Sequence, residues 1–184
     1  DMVWSVLKKR FKVEKTYKNN NNEIGLPFTI LGASPDTEIL VLEMGMRSLG
    51  EIDYLARIAR PDVGIITNIG IAHIGELGSR ENILRAKGEL FENLGDSALA
   101  IMSGEDGFAW QLSEKFQGEK RIFGFGPDAT IRAENPEVKD GETRFDLVRD
   151  GKRVPVVLPY VGSHLILDSL IAIGSTAALV YGVF

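Results

Sequence analysis

The segment Asp62–Glu92 most narrows what this chain can become. Val63 to Thr67 is a short apolar, β-branched run that reads as a buried strand. Asn68 to Gly78 is a polar loop carrying His73, one of two histidines, and Ser79 opens a helix. A strand feeding a helix through a polar loop is one βα unit, and in open α/β sheets the ligand crevice lies outside the carboxyl ends of the strands. The loop leaves the sheet at such an end. At about 100° per residue, Ile83, Lys87, Leu90, Phe91 and Leu94 share one helix face, so Lys87 sits within an apolar stripe. Lysine is almost never fully buried without a partner; either the fold uses an amine there or the side chain snorkels outward.

The flanking sequence repeats the pattern. Glu38–Glu43 is a continuous apolar strand of the kind covered on both faces. It is followed by a helix to about Arg60, with Ser48 and Glu51 as a capping box and Pro61 as terminator. Ser97–Met102 reads as a strand, Glu105–Phe116 as a helix and Arg121–Phe123 as another strand. Strands alternating with helices predict an α/β fold with a doubly wound, mainly parallel sheet. From Ala129 the texture changes: segments 129–134, 142–149 and 152–158 alternate, with Asp140-Gly141 and Asp150-Gly151 between them, predicting a small antiparallel β patch. Pro159–Gly162 turns into a last helix with Ile166, Leu170, Ile173 and Ala177 on one face and Gly182 as C-cap.

Upstream, Met2–Arg10 has helical spacing and Phe11–Val13 is a candidate strand. The four asparagines 19–22 lead into Ile24–Leu31, where Pro27 suits the first turn of a helix. That run is either a turn of residues that tolerate left-handed geometry or an amide-lined loop suited to a polar or anionic ligand.

With 184 residues, 44% hydrophobic and 26% charged, the chain suits one domain with a sizeable core. Its net charge of −5 argues against a nucleic-acid surface or an anionic membrane as main partner. The lack of cysteine removes disulfide and thiolate-metal chemistry and fits a reducing compartment. The last 20 residues hold one charge, Asp168, but Ser169, Gly174, Ser175 and Thr176 dilute the apolar run, and a buried helix is expected rather than a membrane span.

Taken singly, Glu43 reads as a solvated strand end, His73 as a hydrogen-bonded loop histidine and Lys87 as a snorkelling lysine. Together, a carboxylate and an imidazole at one sheet edge with a lysine on the adjoining helix suit a divalent-metal site of hard oxygen and nitrogen ligands. Without cysteine, Mg²⁺ in phosphate chemistry is favoured over structural zinc.

Several stretches carry a resemblance: Asn21-Asn22-Glu23-Ile24-Gly25-Leu26-Pro27, Glu43-Met44-Gly45-Met46, Gly50-Glu51-Ile52, Thr67-Asn68-Ile69-Gly70 with Ala72-His73, Leu77-Gly78-Ser79-Arg80-Glu81 and Ala86-Lys87-Gly88-Glu89. In order and spacing they resemble the Mur ligases, and within them the branch that joins D-Ala-D-Ala to UDP-MurNAc-tripeptide. The resemblance continues more weakly through Gly162-Ser163-His164. It implies a P-loop NTPase-like central domain spanning 1–184, with a β-rich lobe at about 129–158, in a cytoplasmic, ATP-dependent amide ligase of peptidoglycan precursor synthesis. Glu43 would hold an Mg²⁺ shared with the ATP phosphates, His73 a second Mg²⁺, and Lys87 would be carbamylated and bridge to the metal. Asn68, His164 and Asp168 would bind nucleotide. Asn21, Asn22, Glu23, Ser79 and Arg80 would bind the UDP-MurNAc-peptide. The alternatives are a folylpolyglutamate-synthase-like or other Mur-type ligase, or a non-catalytic module that kept the fold.

The chain departs from the family pattern in three places. Lys18 stands where the family has glycine; His164, Leu165 and Asp168 stand where it has His-Asn-x-x-Asn; and the family's Gly-Lys-Thr phosphate loop belongs immediately before Asp1, outside these residues. The family's N-terminal uridine-binding and C-terminal amino-acid-binding domains also lie outside them. Residues 1–184 on their own are therefore expected to bind MgATP poorly, because backbone N–H groups and a lysine of such a loop cradle the phosphates. Calorimetry on this segment should show no micromolar MgATP binding.

Overall fold

A computed structural model describes residues 1–181, so the predicted cap at Gly182 lies outside the described residues. Strand β4 (Leu99–Ser103) is buried at all five positions. Alternate residues point to opposite faces of a strand, so such a strand needs a cover on each side. Ala100 and Met102 join Ile66 and Ile122 beneath one helical layer, while Leu99 and Ile101 join Phe123 and Ile131 beneath another.

The first layer comprises α3 (Glu51–Ala59), α5 (Arg80–Glu92) and α6 (Gly107–Lys115), contributing Ile52, Ile83, Phe91 and Leu112. The second is α7 (Ser163–Tyr181), which inserts Ile166, Leu170 and Ile171 and packs on α1 (Met2–Leu7). The expected face of α7 is buried at Ile166, Leu170 and Ala177. Among the described residues no helix is long and apolar enough to cross a membrane.

The six-stranded sheet runs in chain order from β3 (Val63–Ile66) through β4, β5 (Glu119–Gly124), β6 (Ile131–Lys139) and β7 (Glu142–Arg149) to β8 (Lys152–Leu158). Its β3 to β6 pairings are parallel and its β6 to β8 pairings antiparallel. The expected doubly wound, mainly parallel sheet with an antiparallel patch is present. Both hairpins turn at the Asp-Gly pairs, with φ of 54° and 80° at Asp140-Gly141 and 51° and 72° at Asp150-Gly151, the paired positive φ of a two-residue turn.

Several boundaries differ from the sequence reading. Helix α1 stops at Leu7, and Phe11 caps its end by donating its N–H to the Leu7 carbonyl, so the first strand is β1 (Val13–Lys15) rather than Phe11–Val13. Ser48 does not cap α3: the helix starts after Gly50 at φ 88°, and Glu51 accepts from the Arg47 and Ser48 N–H groups. Helix α6 begins after Asp106, not at Glu105, because the Asp106 carboxylate takes the Phe108 N–H while Glu105 turns to the Phe125 N–H. As expected, Ser79 caps α5, accepting from the Asn82 N–H, and Pro27 sits in the first turn of α2 (Gly25–Leu31).

The largest departure concerns β2 (Ile39–Val41). Its apolar run predicts a strand covered on both faces, yet each residue is only half-buried, and β2 pairs in parallel with β1 in a separate two-stranded sheet. Between the sheets lies a cavity of about 1230 Å³, lined by consecutive residues Ile39 to Glu43 on one side and by Val63, Ile65, Ile66 and Thr67 on the other. Residues of both parities line it, which is what strand edges present rather than faces. Among the described residues neither β2 nor β3 has a second strand neighbour.

Lys18 has φ 51°, in the left-handed region. A side chain there costs roughly 1–2 kcal/mol, whereas glycine adopts it freely at some entropic loss. Lys18→Gly is therefore expected to leave the protein unchanged or to stabilise it by roughly 0.5–1 kcal/mol, read as an upward shift in the urea midpoint.

Candidate active site

Two of the sequence stretches interlock to present Glu43. The Thr16 hydroxyl, in a residue only 7% exposed, accepts the Glu43 N–H at 2.8 Å. Beyond it the Asn21 carbonyl accepts the Gly45 N–H at 2.7 Å, and Asn21 Nδ2 donates to Glu43 Oε1 at 2.8 Å. Gly45 permits this approach: a Cβ there would stand 2.9 Å from the Asn21 side-chain oxygen. Asn22 Oδ1 accepts from the Ile24 and Gly25 N–H groups and so caps α2. Gly25 is equally constrained, since a Cβ would lie 2.5 Å from the Asn20 backbone. Asn21 and Asn22 are thus explained first by the local fold, Asn21 by aiming Glu43. Glu23 is exposed.

The second group gathers after β3. Lys87, on α5, is half-buried and donates from Nζ to the Asn68 carbonyl at 2.7 Å. Desolvation pulls its pKa below the usual lysine range, partly offset by the negative Asp106. The lysine read from sequence in the apolar stripe is thus half-buried and reaches the Asn68 carbonyl. Asp106 Oδ2 accepts the Ile69 N–H at 2.8 Å; its Oδ1 accepts from Phe108 N at 2.9 Å and from Arg80 Nη2 at 3.3 Å. The Arg80 guanidinium lies 4.3 Å over the Phe108 ring. The neighbouring Glu89 reaches from α5 to the start of α3, accepting the Gly50 N–H at 2.7 Å and the Asp53 N–H at 3.0 Å.

Two cavities meet at Asn68. The larger, between the sheets, includes Glu43, Asn68 and Lys87 in its lining. The smaller, about 620 Å³, brings together Asn68, Arg80, Asp106, Phe108, His164 and Asp168. The three residues expected to bind nucleotide, Asn68, His164 and Asp168, therefore line one cavity, and Arg80, expected with the peptide substrate, lines it too. The Gly162 Cα hydrogens abut the His164 ring, where a Cβ would come within 2.6 Å, and the Gly162 N–H is held by Thr143, itself 1% exposed.

His73 and Ser79 line neither cavity. His73 is exposed at φ 66° and heads the short helix α4 (Ile74–Leu77). Its loop follows β3 in the six-stranded sheet, whereas Glu43 follows β2 in the two-stranded one, so the two do not share a single sheet edge as expected; among the described residues no group of three His, Asp or Glu side chains lies close enough to hold a metal ion. The donors present fit a cation held by one carboxylate and completed by water and phosphate oxygens, which is how Mg²⁺ is commonly bound. Asn21 engages one Glu43 oxygen and leaves the other for that task.

Sequence reasoning passed over Asp106 and the bridging part of Glu89. Asp106 carried a readable signal, an N-cap residue before Gly107-Phe108. Its second role, toward a loop 37 residues away, had none.

A doubly wound sheet whose smaller cavity lies at the carboxyl ends of β3 and β4 has its crevice where α/β folds of this kind take ligands. The chain belongs to the Mur ligase family: residues 1–176 match its family model, the Mur ligase middle domain. It is 36% identical over 177 residues to the UDP-N-acetylmuramoyl-tripeptide–D-alanyl-D-alanine ligase of Bacillus subtilis (strain 168), covering 96% of this chain and 38% of that protein. Among solved structures it superposes on MurF from Acinetobacter baumannii with a TM-score of 0.89 at 31% identity, covering 99% of this chain and 40% of that one. For MurF ligase from Thermotoga maritima in complex with ADP, the TM-score is 0.88 at 27% identity, over 97% and 42% of the two chains. The chain thus spans about two fifths of the length of these relatives.

Because burial lowers the Lys87 pKa, an NMR titration of its side chain should show deprotonation below the usual lysine range. The unfolded chain then holds more protons than the folded one between the depressed and the ordinary lysine pKa. In that window Lys87 adds to stability as pH rises, and a Lys87→Met variant should lack that increment.

Proposed function

We propose that these residues form the ATP-handling centre of a cytoplasmic ligase that joins D-Ala-D-Ala to UDP-MurNAc-tripeptide in peptidoglycan precursor synthesis. The observation that carries this reading is the pair of cavities sharing Asn68. One is walled by Arg80, Phe108, His164 and Asp168, and the other by Glu43 and Lys87. The names borne by relatives of this identity favour the D-alanyl-D-alanine branch over other acid–amino-acid ligases.

In this reading the nucleoside of ATP occupies the smaller cavity, with the Arg80–Phe108 stack as one wall, and its phosphates point past Asn68 toward Glu43 and Lys87. The terminal carboxylate of the tripeptide attacks the γ-phosphorus, giving an acyl phosphate and ADP. The amine of D-Ala-D-Ala then attacks the acyl carbon, releasing phosphate and a proton and forming the amide bond. The side chains need not be nucleophiles: phosphoryl transfer depends on in-line positioning and on neutralising charge over the phosphoryl oxygens. Mg²⁺, when bound, supplies that neutralisation, with the free Glu43 oxygen as its fitting protein ligand. The assignment of His73 to a second ion rests on the family resemblance, and so do Asn22, Glu23 and Ser79 as peptide-substrate contacts.

Lys87 is proposed to act as its carbamate. Its desolvated amine is more often neutral than an exposed one, and neutral amine is the form that adds CO₂. The product is an anion facing the larger cavity, positioned to help hold the cation.

Two measurements on the full-length enzyme test the reading. Glu43→Gln keeps the Asn21 contact geometry but removes the charge, and is expected to lower turnover by about 10²; a near-normal rate at limiting Mg²⁺ would remove Glu43 from the metal site. Lys87→Ala is expected to be inactive and to regain part of its rate with added acetate. Full activity without it would exclude the carbamate.

A further inference from the structure

We infer that Asp106 is a positioning residue of the ligase site, clamping the Asn68–Ile69 peptide between the two cavities. The inference rests on the ligase reading above and adds to it a residue that the family motifs quoted from the sequence leave out.

The Asn68 carbonyl and the Ile69 N–H belong to one peptide group. The carbonyl accepts from Lys87 Nζ at 2.7 Å, and the N–H donates to Asp106 Oδ2 at 2.8 Å. The Lys87 nitrogen, which keeps an N–H donor as amine or as carbamate, holds one end of the peptide dipole, and the Asp106 carboxylate holds the other. The planar group cannot rotate without breaking both contacts, and the one to the carboxylate is charge-assisted and so stronger than a neutral pair. The gripped peptide follows Thr67 and Asn68, which line both cavities. The Asn68 side chain is tied down as well, with its Oδ1 accepting the Gly70 N–H at 3.1 Å.

The other oxygen of Asp106 fixes the opposite wall of the smaller cavity. Oδ1 accepts from the first turn of α6 at Phe108 N and from Arg80 Nη2, and Arg80 stacks on the Phe108 ring. The Asp106 side chain is 14% exposed. One partly buried carboxylate therefore joins the loop after β3, the start of α5 and the start of α6. An ordinary N-cap needs only the contact to its own helix. The bond to Ile69, 37 residues away in sequence, is outside that need and is the one that reaches the Lys87 site.

Capping and clamping separate cleanly by substitution. Asparagine caps a helix about as well as aspartate, and serine does too. Asp106→Asn keeps an oxygen for Phe108 and Arg80 but turns an NH₂ toward the Ile69 N–H, donor against donor; Asp106→Ser is too short to reach Ile69. The experiment uses both variants of the full-length protein, with hydrogen exchange followed in segments 67–72 and 107–115 and ligase kinetics measured at varied ATP. Both variants are expected to exchange segment 67–72 about tenfold faster, the effect of losing about one net hydrogen bond, with 107–115 unchanged. Turnover at saturating ATP should fall at least tenfold while KM for the UDP-linked substrate stays within about twofold. Unchanged exchange in 67–72, loss of protection in 107–115, or failure of both variants to fold would overturn the proposal in favour of a structural cap. The exchange result does not depend on ligase activity, so a wrong ligase reading appears as an inactive wild type with the clamp still detected.

Discussion

Strand β4 must be hidden on both faces, and the rest of the molecule follows from that requirement. With Leu99 and Ile101 on one side and Ala100 and Met102 on the other, no single helical layer is enough. The cover has to come from α5 and α6 on one face and α7 on the other, which means parallel crossovers and strand ends that open along one edge. Loops at that edge are free to be polar. Asn68, His73 and Asp106 sit in loops after β3 and β4, and Glu43 faces Asn68 from the end of β2 in the other sheet, which is how chemistry-bearing residues so far apart in sequence converge.

At this edge the polar groups are arranged for aim rather than for stability. Asn21 orients Glu43 through one oxygen and the peptide after Asn68 is held at both ends, while Glu89 spans from α5 to the N–H groups that open α3. Exposed pairs elsewhere, such as Lys12 with Asp36 on the surface, contribute little by comparison. Burial of Lys87 is the exception that works against stability, since its charge is partly desolvated.

Much of this was legible in the sequence because it depended on local period and punctuation. The alternation of strands and helices, the Asp-Gly turns, the Ser79 cap and the lysine in an apolar stripe each announce themselves within about ten residues. What was missed is non-local. Ser48 and Glu51 spell a capping box, yet Gly50 starts the helix, because Glu89 on another helix supplies the acceptors. Glu38–Glu43 is apolar enough for a central strand, but its pairing depends on neighbours that local pattern does not specify. Lys18 is the converse case: a departure from the family's glycine acquired its physical meaning only from its φ of 51°.

The gap between β2 and β3 bears on how the site is tuned. Glu43 extends from one sheet and Asn68 from the other, while Lys87 lies over the same gap. Backbone ladders are stiff within each sheet, but none crosses the gap. The separation of the Glu43 carboxylate from the Lys87 amine is therefore set by side-chain packing and by struts such as Glu89.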